Sequence, residues 1–168
     1  MKNVKIYEIS RDYVSYLSAF APHLFCNSKP GQANERKYIG IILQVNEMDY
    51  FVPLSSFKPK HKKMDEKIDF IKVRDYAVIN LNNMFPVPND EYRYVEFGTV
   101  RDARYKSLLL AEYRYIKSIQ ETIRKNAADL YNYKLAHKND TPLSKRCNDF
   151  VLLESKCAEY EENRIHNA

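Results

Sequence analysis

Three features of the 168-residue sequence predict an α+β fold, with a compact, strongly twisted, mainly antiparallel β-sheet flanked by helices. Short β-forming runs bounded by Pro, Gly and Asn fill the chain up to Gly98. Apolar residues then recur at steps of three and four, the period of an amphipathic helix. Strands that precede helices, rather than alternating with them, argue against a parallel βαβ sheet. No repeat or composition break divides the chain, so residues 1–168 are read as one domain, long enough to bury most of the surface its unfolded form exposes.

The elements follow in order. Val4, Ile6 and Ile9 read as a half-buried opening strand, and Ser10 as the cap of a short helix carrying Tyr13, Leu17 and Phe20 up to Pro22. CNSKPGQANER, around Pro30 and Gly31, reads as a loop able to move over a ligand. YIGIILQV, Tyr38 to Val45, is the clearest strand; Asn46 to Asp49 turn it into a second, Tyr50 to Leu54. Within the hairpin, Gly40 marks a close approach or a strong coil, and Pro53 an edge position or a bulge. Further strands are expected at Ile68–Val73, Val78–Met84 and Tyr92–Phe97. The stripe Tyr105, Leu108, Leu109, Ile116, Ile119, Ile123, Ala127 and Leu130 predicts a long helix from Arg101 to about Asn126, and the continuation to His137 reads as a second helix. A loop around Pro142 leads to a final helix capped by Asn148 or Asp149, with Phe150, Leu153, Cys157 and Tyr160 inward.

Composition excludes several classes. No run reaches the roughly 18 apolar residues that a membrane span needs, and MKNVKIYEIS lacks the pattern of a signal peptide, so a cytoplasmic protein is expected. Cys26, Cys147 and Cys157 form no CxxC pair, and His23, His61, His137 and His166 share no metal-binding spacing; neither a metal nor another cofactor is expected. The net charge is +5, from 27 basic and 22 acidic residues. From Asp149 onward five acids face two bases, giving −3, so the remainder, 25 bases against 17 acids, carries +8. A basic body with 14 Tyr and 8 Phe suits a nucleic-acid partner.

Chemistry and charge meet in YFVPLSSFKPKHKK, Tyr50 to Lys63. An apolar strand ends at two hydroxyls, Ser55 and Ser56, followed by Lys58, Lys60, His61, Lys62 and Lys63 around Pro59, a run expected to stay exposed and to suit a phosphodiester. The bland alternative is a solvated connection with turn-forming serines. Asn80, Asn82 and Asn83 can read base edges or simply close a turn. Tyr113 and Arg114 on the long helix can grip RNA, with core packing as the rival role for the tyrosine.

Together, YIGIIL, YFVPLSSFKPKH, VINLNNMFPVP and RCNDFVLLE resemble the ToxN and AbiQ toxins of type III toxin–antitoxin systems, over nearly the whole chain. The resemblance implies a fold similar to the MazF and Kid toxins and a sequence-selective endoribonuclease, cutting adenine-rich single-stranded RNA without a metal. It also implies cellular or phage RNA as substrate and a role in abortive infection. Restraint would come from a tandem-repeat RNA antitoxin of pseudoknot-like units, in a cyclic toxin–RNA assembly. Carried over residue by residue, the family's hydroxyl pair falls on Ser55 and Ser56, its lysine on Lys58, and its basic residue before the strand on Arg36 or Lys37, with Asn34 nearby; His61 has a counterpart in some relatives. Gln32 replaces an aromatic. The expected catalytic set is Ser55, Ser56, Lys58 and His61; the RNA-binding set is Asn34, Arg36, Lys37, Lys60, Lys62, Lys63, Asn80, Asn82, Tyr113 and Arg114. The rivals are a MazF-like ribonuclease neutralised by a protein and a non-catalytic RNA-binding module.

Overall fold

A computed structural model describes residues 3–24 and 35–168. Cys26, Gln32, Asn34 and most of the CNSKPGQANER loop lie outside the described residues. Strand β1 (Lys5–Ile9) leads into helix α1 (Arg11–Ser18), where the Ser10 hydroxyl accepts from the Tyr13 N–H and caps the first turn. Strands β2 (Tyr38–Val45) and β3 (Met48–Ser56) form a hairpin. Its loop is tighter than expected: only Asn46 and Glu47 separate the paired Val45 and Met48, both with positive φ, as a two-residue I′ hairpin turn requires.

The sheet continues through β4 (Phe70–Val73), β5 (Ala77–Asn80), β6 (Phe85–Val87) and β7 (Tyr92–Tyr94). Its order is β4-β5-β3-β2-β1-β7, β6 also pairs with β3, and every pairing is antiparallel. Pro53 is therefore on a central strand, not an edge. The far neighbour of β3 changes there: β6 pairs with Asp49–Phe51 and β5 with Leu54–Ser56. Because the Leu54 N–H donates to Lys37 on the β2 side, the imino nitrogen of Pro53 faces the changeover, where no ladder partner needs a donor. Gly40 answers to a close approach, since a Cβ there would run into the Phe51 ring.

Three other expectations are corrected. VINLNNM is not one strand: β5 ends at Asn80, and Leu81–Asn83 form a 3-10 turn before β6. The long helix breaks at Ile119 into α2 (Ala103–Ser118) and α3 (Gln120–His137). The Pro142 loop contains a short helix, α4 (Pro142–Arg146), capped reciprocally by Thr141 and Ser144, with proline in its first turn where no N–H is required. Helix α5 (Phe150–His166) starts at an Asp149 cap.

The main core lies between the sheet and α3, joining Tyr50, Val52, Ile71 and Ile79 to Ile123, Ala127 and Leu130. A second cluster gathers Tyr13, Leu17, Phe51 and Phe85 with Leu153 and Cys157 of α5. A third, smaller one places Leu109 of α2 against Ile6 and Val95. Glu154 joins α5 to the first core by accepting from the Tyr50 and Tyr131 hydroxyls at 2.6 and 2.7 Å. Arg146 grips the buried Asp69 carboxylate with two hydrogen bonds, of 2.6 and 3.1 Å, tying α4 to the start of β4.

Candidate active site

The end of β3 opens into a cavity of about 610 Å³. Ser55 and Ser56 pair with Val78 and Ala77 of β5, so the ladder fixes their backbone while the chain runs on toward the lysines. Both line the cavity, Ser55 half-buried and Ser56 exposed. Successive strand residues face opposite sides of a sheet, so the two hydroxyls reach the cavity from different faces of β3 and are suited to different tasks.

Beyond Phe57 the chain turns into a 3-10 segment, Pro59–Lys63, held by His61. The His61 N–H donates to the Lys58 carbonyl, and its Nδ1 accepts from the Lys58 N–H, both at 2.9 Å. The ring sits 5.5 Å from Phe57 and 5.7 Å from Phe70. Burial, then the charges of Lys60, Lys58 and Lys72, push the imidazole below its ordinary pKa, so it stays neutral at pH 7 with Nδ1 as acceptor. His61 is thus buried, against the expectation that the whole basic run stays exposed. Lys58 and Lys60 are exposed at the cavity. Among the described residues, neither the Lys58 ammonium nor the Ser55 and Ser56 hydroxyls has a hydrogen-bond or ion-pair partner, so all three can turn to a ligand.

Lys37 also lines the cavity but is buried and held: its ammonium donates to the Glu35 carbonyl at 3.1 Å, lies 3.7 Å from a Glu8 carboxylate oxygen and sits 5.7 Å from the Tyr105 ring centre. Arg36 is half-buried beside it. Helix α2 contributes Tyr105, Leu108, Leu109 and Glu112. Glu112 is 5% exposed, and burial pushes its carboxyl up to about 7. A hydroxyl pair, an exposed ammonium and a cationic rim in one cavity match what a phosphodiester requires.

Residues 5–158 match the family described as toxin ToxN of the type III toxin–antitoxin system. The chain belongs to the ToxN family. It is similar to endoribonuclease ToxN of Bacillus thuringiensis subsp. kurstaki, 30% identical over 169 residues, covering 95% of this chain and 86% of that protein. Endoribonuclease AbiQ of Lactococcus lactis subsp. lactis is 29% identical over 171 residues, 95% and 90% of the two chains. One solved structure, from work on selective inhibition of a type III toxin by a non-coding RNA pseudoknot, superposes with a TM-score of 0.80 at 30% identity, over 96% of this chain and 99% of that one. AbiQ, a lactococcal anti-phage endoribonuclease, superposes with a TM-score of 0.82 over 96% and 99%; at 24% identity this speaks for the fold alone.

Of the residues expected to act in this ToxN-family chain, Ser55, Ser56, Lys58, His61, Arg36, Lys37, Lys60 and Asn80 line the one cavity. Lys62 and Lys63 are exposed on the same turn but outside the lining. Asn82 is elsewhere: its amide donates to the Arg146 carbonyl at 3.0 Å and to Asn83 at 3.2 Å, closing the turn, whereas Asn83 reaches the cavity. Tyr113 packs 5.5 Å from Phe97 in the third cluster, and Arg114 is exposed; neither lines the cavity. Sequence reasoning passed over Glu112, although a charge four residues after Leu108 and four before Ile116 stands out in an apolar stripe. Among the described residues no group of three His, Cys, Asp or Glu is arranged to hold a metal ion, and no helix is long and apolar enough to cross a membrane.

Proposed function

We propose that this chain is a ToxN-type endoribonuclease that cleaves single-stranded RNA in the Ser55–Ser56–Lys58 cavity and is restrained by a repeat RNA antitoxin of pseudoknot-like units. The observation that carries this is the cavity itself: two hydroxyls and an ammonium without a partner among the described residues, lining one space with the cations Arg36 and Lys60. The 2′-oxygen of a ribose attacks the adjacent phosphorus, the bond to the 5′-oxygen breaks, and one proton passes from the first oxygen to the second; the ends are a 2′,3′-cyclic phosphate and a 5′-hydroxyl. Ser56 positions the 2′-hydroxyl, whose proton passes to a phosphate oxygen; Ser55 donates to a non-bridging oxygen; and Lys58 neutralises the phosphorane and protonates the leaving oxygen, regaining its proton from the phosphate. His61 acts through Lys58, fixing the backbone from which the ammonium projects.

The antitoxin RNA would compete for the same cationic rim. Tandem units binding successive toxin copies would give the closed toxin–RNA assembly that the resemblance implies, in the cytoplasm, where cellular or phage RNA is met. Mapping RNA ends after expression tests the proposal: wild type should leave 5′-hydroxyl ends at preferred sequences, and Lys58→Ala should lose toxicity with cleavage reduced at least a hundred-fold. Ends bearing 5′-phosphate, or full toxicity of the Lys58→Ala variant, would remove this mechanism.

A further inference from the structure

Cations and aliphatic hydroxyls reach the cavity from β3, the 3-10 turn and the segment before β2, whereas α2 brings a phenol, two leucines and a carboxyl. Its contributions, Tyr105, Leu108, Leu109 and Glu112, recur at helical spacing and form one face. Leu108 is 38% exposed, a large apolar side chain uncovered at the cavity. Glu112, buried among these neighbours, has no hydrogen bond or ion pair among the described residues. A buried carboxyl without a partner costs stability. A flat, largely apolar ring with one polar edge fits such a wall better than a phosphate does.

We infer that this face of α2 is a nucleobase pocket, in which Tyr105 and Leu108 pack on the base and Glu112 reads its polar edge, selecting bases that present a ring-nitrogen acceptor beside an amino donor. Adenine (N1 and the 6-amino group) and cytosine (N3 and the 4-amino group) carry that pair; guanine and uracil present N–H where the acceptor should be. A neutral carboxyl donates and accepts side by side, as the amide of glutamine does. The raised pKa of Glu112 keeps that form populated near neutrality. The other titratable and charged groups of the lining are Tyr105 on the same helix, Glu35, Arg36 and Lys37 ahead of β2, and His23, Lys58, Lys60, His61 and Tyr76 elsewhere.

The inference rests on the chain being a ribonuclease, and one experiment separates the two. A random-sequence RNA library is cut by purified wild type, Glu112→Gln and Glu112→Leu, and the ends are sequenced; kcat/KM is then measured on a short oligonucleotide carrying the preferred base and on the same one with adenine replaced by inosine. Wild type should prefer adenine or cytosine at one position beside the cut and discriminate against inosine roughly ten- to a hundred-fold, the worth of one bidentate base contact. Glu112→Gln should keep that selectivity, and Glu112→Leu should lose it. Selectivity that survives in Glu112→Leu overturns the inference, as does a Glu112→Gln protein that folds but cuts no sequence, which would make the carboxyl a proton-transfer group instead. Wild type that leaves every RNA intact overturns the ribonuclease reading itself.

Discussion

His61 and Glu112 are buried titratable groups of the same cavity, and burial favours the neutral form of each, which gives them opposite effects on stability as pH changes. The unfolded chain takes a proton on His61 near pH 6.5, whereas the folded one resists it. The stability tied to neutral His61 is therefore complete above that pH and lost as pH falls below it. Glu112 keeps its proton to about 7 in the folded chain, while in the unfolded chain it ionises in the usual carboxylate range. Its penalty is absent at low pH, builds as pH rises toward 7, and reaches about 3 kcal/mol. Denaturant titrations across pH should show Glu112→Gln more stable than wild type above pH 7 by about that amount, with the gain vanishing near pH 4. His61→Asn, which retains an acceptor for the Lys58 N–H, should flatten the loss on the acid side. Equal pH profiles for all three proteins would mean that neither group titrates differently on folding.

At the scale of elements, what the sequence showed and what it hid separate along physical lines. β2 was legible residue for residue because a β-rich run between polar turns has one reading. The caps Ser10 and Asp149 were legible because their hydrogen bonds are local. β6 was not, because Pro86 sits inside its ladder and Pro88 just after it, and prolines look like terminators. The break at Ile119 was hidden because the apolar stripe runs on through it: α3 continues to cover the core that Ile116 of α2 reaches, so periodicity persists while the backbone turns. The catalytic candidates were visible because Ser55, Ser56 and Lys58 are contiguous, whereas the α2 wall of the cavity depends on a tertiary contact that no local pattern encodes. Gly40 lies between these cases, flagged by the sequence and explained only by Phe51. Gly40→Ala should destabilise the hairpin by about 1–3 kcal/mol through overpacking. Adding Phe51→Leu should recover part of that loss, so that the double variant unfolds later than the sum of the singles requires. Strict additivity in urea titrations would show that the ring is not what excludes the side chain.

At the scale of the whole molecule, the +8 body outweighs the −3 tail and gives the protein a net attraction for polyanions, and the lysines inside and outside the cavity lining separate two kinds of RNA. Lys60 lines the cavity, and Lys62 on the same turn does not. A short single strand threading the cavity meets the first; a folded antitoxin unit large enough to cap the opening meets both. Each lysine that neutralises a phosphate contributes roughly −0.7 to the slope of log affinity against log salt for single strands. In a cleavage-dead Ser56→Ala background, Lys60→Ala should therefore make that slope shallower by about 0.7 for both RNAs, whereas Lys62→Ala should do so only for the repeat RNA. Because the two lysines share a turn and a charge, any difference between the RNAs must come from where each side chain sits relative to the cavity. A slope unchanged by either substitution would return the run to a solvated surface and place the antitoxin on another face.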